Sequence, residues 1–257
     1  MHDLKLTIIG SGNMAEAILH SVSKRYAVEV VARDQKRLET LLQPFGTNVS
    51  YQVLGETYDI SGKNIILCVK PYALADVSKH FSGQANALLS VLAGVRLEDL
   101  KRHIAAKHTV RTMPNLAAKY SKSMTTLCGD STFKNEAIEI CNCFGESLWL
   151  SNEKEIDIAT AVAGSGPAFL ALVAESLADG CVKEGLKRCD AQDLVKGLFA
   201  GFAPLIAQNH PSILKDAVMS PGGTTAAGYG ALEEENVRNG FIKAIQKAYE
   251  KAKKLGG

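Results

Sequence analysis

The chain has 257 residues, 46% hydrophobic and 22% charged, the proportions of a globular protein with one large or two smaller domains. A formal net charge of +2 carries no signature for nucleic acid or a membrane surface, so neither is expected as a partner. The six cysteines (Cys68, Cys128, Cys141, Cys143, Cys181, Cys189) form no CxxC pair, and Cys141-Asn142-Cys143 is too tight for zinc, so free thiols in a reducing cytosol and no metal are expected.

The opening stretch MHDLKLTIIGSG has no basic leader, and no apolar run reads as long enough to span a bilayer, so a soluble cytoplasmic protein is expected. The run LTIIG (Leu6 to Gly10) reads as a buried strand, and it leads into GSGNMAEAIL. There Gly10, Gly12 and Ala15 form a GxGxxA pattern between a strand and a helix. Gly10 permits the tight turn, Gly12 lets backbone approach a pyrophosphate, and Ala15 keeps helix close to sheet, with Ser11, Asn13 and Met14 completing the turn. This context predicts a dinucleotide site.

VEVVAR (Val28 to Arg33) is the next strand candidate, followed by a helix at QKRLETLL. The end of this strand selects the nucleotide. Arg33 stands there and favours the 2′-phosphate of NADPH, whereas Asp34 leaves NADH open. Lys36 and Arg37 fit a solvated helix start. NIILCV (Asn64 to Val69) runs into CVKPYAL, which places Val69, Lys70 and Pro71 at the carboxyl edge of the sheet, with a backbone role for Lys70. ALLSVLAG (Ala87 to Gly94) ends in Ala93-Gly94, which leaves room for a nicotinamide. Helix LEDLKRHIAA and strand candidates HTVRTM, SMTTLCG and ESLWLS complete this half. The alternation predicts an α/β fold, an N-terminal Rossmann-type doubly wound parallel sheet over residues 1–152.

After Asn152 strand-like runs vanish, and residues 153–257 read as an all-α domain. Helices are predicted over GPAFLALVAESLADGCVKEGL, AQDLVKGLFAGFAPLIAQ and NVRNGFIKAIQKAYEKAKKL. They are rich in Ala and Gly, and so small a helical half points to a homodimer built through it, with packing on its own sheet domain as the alternative. Within it lies MSPGGTTAAG (Met219 to Gly228). Ser220 and Pro221 start a turn, Gly222-Gly223 expose bare amides, and Thr224-Thr225 enter a helix. Such amides bind a small carboxylate without any cation, although an ordinary capped loop has the same spacing.

The motifs GSGNMAEAI, CVKPYAL, VLAGV, RTMPN, AGSGPAF, ADGCVKEGL and HPSILKDAVMSPGGTTAAG resemble, in order and along essentially the whole chain, those of the pyrroline-5-carboxylate reductase family. The resemblance implies reduction of 1-pyrroline-5-carboxylate to L-proline with NAD(P)H, the last step of proline biosynthesis. It also implies a helical domain that interlocks with its twin, and in some members a decamer. Gly10 to Ala15 would hold the pyrophosphate, and Val69-Lys70-Pro71 and Ala93-Gly94 would border the nicotinamide. Ser220, Gly222, Gly223, Thr224 and Thr225 would hold the substrate carboxylate, with the Thr225 hydroxyl near the imine nitrogen as the catalytic candidate. The chain departs from the family pattern at Leu116 and Ala117, where threonine and proline are common, which puts the contacts of Asn115 in question. It departs again at Ala163, Phe169 and Gln208. A β-hydroxyacid dehydrogenase would need a lysine early in the helical half, and none stands between Lys154 and Lys183. A nucleotide-sensing regulator would keep GxGxxA but need no SPGGTT.

Overall fold

The computed structural model describes residues 4–255; residues 1–3, the start of the stretch read for a leader, lie outside the described residues. Among the described residues ten strands and eleven α-helices follow in order: β1 (Lys5–Ile9), α1 (Asn13–Val22), β2 (Ala27–Ala32), α2 (Gln35–Leu42), β3 (Val49–Val53), β4 (Tyr58–Asp59), β5 (Asn64–Leu67), α3 (Leu74–Val77), β6 (Phe81–Ser82), β7 (Ala85–Ser90), α4 (Leu97–His103), β8 (Ala106–Met113), β9 (Ser123–Gly129), α5 (Lys134–Cys141), β10 (Gly145–Trp149), α6 (Glu153–Ala163), α7 (Gly166–Lys183), α8 (Arg188–Gln208), α9 (Pro211–Val218), α10 (Thr224–Glu234) and α11 (Val237–Leu255). Packing divides them into two units, residues 1–164 with 247–257 and residues 165–246.

The first unit is built on an eight-stranded sheet in the order β10-β9-β8-β7-β5-β1-β2-β3, and β4 and β6 form a separate two-residue ladder. Its central strands are apolar on both faces because helices cover both. Leu6, Ile8, Val28, Val30, Ile66 and Leu89 pack on one side with Ile18 and Leu19 of α1. Ile9, Val31, Ile65, Leu67 and Leu88 pack on the other with Leu74 of α3 and Leu100 of α4. The sheet is not wholly parallel, as the sequence had suggested: β9 pairs antiparallel to β8. The physical reason is the connection. Residues 114–122, mostly a short 3₁₀ turn, are fewer than the dozen or so that a parallel crossover needs.

Sequence pattern also missed α6 and β3. Asn152 caps α6 by accepting from the amide of Glu155, and Ile156 buries its inner face. Arg111, 2% exposed on β8, clamps this helix: Nη1 donates to Glu153 at 2.9 Å and Nη2 to Asp157 at 2.7 Å. Glu153 Oε1 also accepts from the amide of Leu97, so one carboxylate ties β8, α6 and the start of α4. β3 is an edge strand with mostly exposed side chains, and it therefore lacks the apolar run that marks the inner strands.

The second unit is all helical. Its own buried cluster is small, Ala178, Ala191 and Val195 between α7 and α8, while Leu172, Leu194, Leu198, Phe202, Ile213 and Val218 are exposed. The stretch 153–183, which contains α6 and α7, is long and apolar enough to cross a membrane by length and composition, which corrects the reading that no such run exists. Gly164 and Ser165 interrupt it between the two helices, and α6 is packed on β9 of the sheet.

Candidate functional site

The first unit carries a cavity of 280 Å³ at the carboxyl edge of its central strands. Gly10, Ser11 and Gly12 form one wall, Arg33 and Asp34 stand at the end of β2, and Cys68, Val69, Lys70, Tyr72 and Ala73 follow β5. Ligands in doubly wound sheets bind at this edge. Gly10 has φ +120°, and a Cβ there would lie 2.7 Å from the carbonyl oxygen of Cys68. The residue after β1 must therefore be glycine for β1 and β5 to stay adjacent. Gly12 differs: its φ is −82° and a Cβ would meet nothing within 4 Å. The space in front of Gly12 is open to a ligand.

Gly12 is also the N-cap of α1 and offers no side-chain acceptor. Among the described residues nothing accepts from the amides of Asn13, Met14 or Ala15, so the positive end of the helix is unsatisfied. Ala15 is 1% exposed, where a larger side chain would push α1 off the sheet. This arrangement fits a pyrophosphate. Burial pushes the Cys68 thiol well up from its ordinary range, so it lines the wall as a neutral group.

The charges at the end of β2 are arranged differently from the sequence reading. Asp34 Oδ1 accepts from the amide of Arg37 at 3.0 Å and caps α2. Arg37, read as part of a solvated helix start, instead folds back over the glycine turn. Its Nε donates to the Ser11 carbonyl at 3.1 Å, and Nη2 lies 3.6 Å from Glu16. Arg33 Nη1 pairs with Asp76 Oδ2 of α3 at 3.0 Å. The Lys70 carbonyl accepts from the amide of Ala73, while its side chain is exposed. Pro71 opens the 3₁₀ turn that carries Tyr72, an exposed aromatic at the cavity wall that the sequence reading passed over. Ala93 packs beside Met113 and Ile156, and Gly94 takes a left-handed turn at φ +76°.

Asn115, followed by Leu116 and Ala117, is hydrogen-bonded through both ends of its amide. Its Oδ1 accepts from the amide of Ala117, and its Nδ2 donates to the carbonyl of Ala163 at 2.8 Å.

In the second unit, Ser220 to Gly223 form a largely exposed turn ahead of α10, whose first two residues are Thr224 and Thr225. Gly222 has φ +68°, in the left-handed region that favours glycine. Gly223 donates to the Ser220 carbonyl at 3.0 Å and caps α10 with extended backbone and no side-chain acceptor. A Cβ on Gly223 would run into Ser220 Oγ. Nothing among the described residues accepts from the amides of Thr224, Thr225 or Ala226, so this helix also presents bare donors. Thr225 borders a largely apolar groove of 580 Å³ formed with Leu198, Phe202, Leu214 and Val218. No ionisable side chain lies between Met219 and Gly228.

Comparison with known proteins agrees with both halves. The family described as NADP oxidoreductase, coenzyme F420-dependent, matches residues 5–94. The family described as pyrroline-5-carboxylate reductase dimerisation matches residues 153–255, and so begins at α6, earlier than the division drawn by packing. A pyrroline-5-carboxylate reductase of Helicobacter pylori is 37% identical over 253 residues, covering 96% of this chain and 98% of its own. One from Synechocystis is 34% identical, with 98% of each chain covered. The crystal structure of a Plasmodium falciparum pyrroline carboxylate reductase with NADP bound superposes with a TM-score of 0.81 at 28% identity, over 99% of this chain and 100% of the other. The chain belongs to the pyrroline-5-carboxylate reductase family.

Proposed function

We propose that the protein reduces 1-pyrroline-5-carboxylate to L-proline, with NADPH as hydride donor and NADH as the alternative. The reading is supported by near-full-length similarity to curated reductases of that name and by NADP in a structural relative. The residues at the first turn fit the dinucleotide: bare amides at α1, open space before Gly12 and two arginines beyond it. Gly10 to Ala15 hold the pyrophosphate, Arg33 faces the adenosine end, and Val69, Lys70, Pro71, Ala93 and Gly94 shape the nicotinamide end. When bound, the nucleotide supplies a hydride.

The observation that carries the substrate assignment is the turn before α10. The amides of Thr224, Thr225 and Ala226 have no acceptor among the described residues, and the turn itself carries no ionisable side chain, which suits a small carboxylate. In this reading Ser220, Gly222, Gly223 and Thr224 bind the carboxylate, and the Thr225 hydroxyl orients the ring nitrogen. A protonated imine carbon is already electrophilic, so the protein's task is positioning rather than strong acid catalysis. The absence of ionisable groups from the turn agrees with that, and water can protonate the nitrogen. The helical half serves as a homodimerisation domain, with higher assembly such as a decamer as a further step, in the cytoplasm.

The test is loss of reduced-nucleotide absorbance on adding pyrroline-5-carboxylate, against hydroxy acids and against no substrate, with NADPH and NADH in separate runs. Turnover confined to the cyclic imine supports the assignment. Equal or greater turnover of a hydroxy acid, or none with the imine, overturns it.

A further inference from the structure

Three carboxylates, Asp34, Asp76 and Glu16, stand beside Arg33 and Arg37 at the end of the cavity after β2. Arg33 leaves the end of β2, whereas Asp76 belongs to α3, whose neighbours Ala73 and Val77 line the cavity after β5. The 3.0 Å bridge between them therefore joins the two sides of the cavity. Arg37, on α2, is held on the Ser11 carbonyl and near Glu16. Asp34, the acidic residue expected to meet ribose hydroxyls, commits one oxygen to capping α2.

We propose that Asp76 is a specificity-determining residue: it occupies the Arg33 guanidinium that a 2′-phosphate needs, so the choice between NADPH and NADH is set by two anions competing for one cation. This rests on the reading that the cavity holds a dinucleotide. Both side chains are more than half exposed, at 66% and 55%, so the bridge is weak enough to exchange. After the exchange the Asp76 carboxylate remains as a like charge beside the phosphate and weakens its binding. A nucleotide without the 2′-phosphate leaves the bridge intact and feels no such competition.

The experiment measures dissociation constants calorimetrically on the full-length protein for NADPH, NADH, 2′,5′-ADP and 5′-AMP. With Asp76→Asn, the constants for NADPH and 2′,5′-ADP should fall by roughly five-fold, while those for NADH and 5′-AMP move by less than about two-fold. Asp76→Ala should repeat the pattern, which separates loss of charge from any new amide contact. Arg33→Gln should remove most of the difference between the phosphorylated and unphosphorylated pairs. The proposal is overturned if Asp76→Asn shifts all four ligands alike, leaves all four unchanged, or weakens the phosphorylated pair. If the wild-type protein binds none of the four, the cavity assignment itself fails and the competition falls with it. A selective effect on the phosphorylated pair upholds both.

Discussion

Gly10 and Gly12 lie two residues apart and do different work. A Cβ at Gly10 collides with the backbone of Cys68 in a conformation that L residues avoid, whereas a Cβ at Gly12 points into empty space. Gly10→Ala should therefore destabilise the fold by about 2–4 kcal/mol, seen in denaturant unfolding. Gly12→Ala should leave the unfolding midpoint nearly unchanged yet weaken nucleotide binding at least about ten-fold, because its methyl group would stand where the proposed pyrophosphate approaches. Unfolding and nucleotide titration of the pair separate these effects, and equal stability losses would refute the distinction. Thr225→Ala, in the same spirit, should lower kcat while leaving the nucleotide dissociation constant unchanged. Equal steady-state constants for mutant and wild type would remove Thr225 from the chemistry. The glycine pattern and the strand–turn–helix context were legible at this scale. The partners of Arg33 and Arg37 were not, because Asp76 and Glu16 approach through tertiary packing that no local spacing encodes.

At the scale of elements, the lower end of β2 is held by a small polar network. Glu29 accepts from Tyr58 Oη at 2.6 Å and from Lys63 Nζ at 3.0 Å, with Lys5 3.7 Å away. Burial pushes the Glu29 carboxyl up, but these hydrogen bonds and the Lys63 and Lys5 charges outweigh it and hold the carboxyl below its ordinary value of 4.5. The stability Glu29 contributes is thus present above that value and lost as pH falls through its lowered folded value. Glu29→Gln should flatten this part of the acid limb and cost about 1 kcal/mol at neutral pH, read from urea midpoints across pH. Tyr58 behaves oppositely. Burial and the Glu29 contact push it up to about 12, so its contribution is full below 10 and lost as pH rises through about 12. The Arg111 clamp is a further case, since Asp157→Ala leaves a buried guanidinium with one carboxylate fewer and should destabilise by about 2–3 kcal/mol in the same assay. Strands β1, β2, β5 and β7 were readable because burial on both faces writes continuous apolar runs. The direction of β9 was not read, although the short connection before it held the clue.

For the molecule as a whole, the helical unit sets the requirement. Leu172, Leu194, Leu198, Phe202, Ile213 and Val218 face outward, far more apolar surface than the Ala178–Ala191–Val195 cluster hides. The protein should self-associate, with a melting temperature that rises with protein concentration. Leu198→Glu with Phe202→Glu should shift sedimentation to the monomer, and an unchanged sedimentation coefficient would refute association through this face. Helices α7, α8 and α11 followed from the sequence pattern, whereas α9 did not. What covers their outer faces is a property of the assembly, so a single chain's pattern shows only that a cover is needed.

The antiparallel entry of β9 governs where the backbone quits the sheet. A run of three parallel strands β8, β9 and β10 would end beside the glycine turn and send the next helix away from it. With β9 and β10 reversed, α6 starts beside Arg111 of β8 and the amide of Leu97, runs roughly 16 Å in its eleven residues, and brings Ala163 level with Asn115, just past the end of β8. One hydrogen bond from an asparagine amide then fastens the point at which the backbone leaves α6, on the rim where β8 ends.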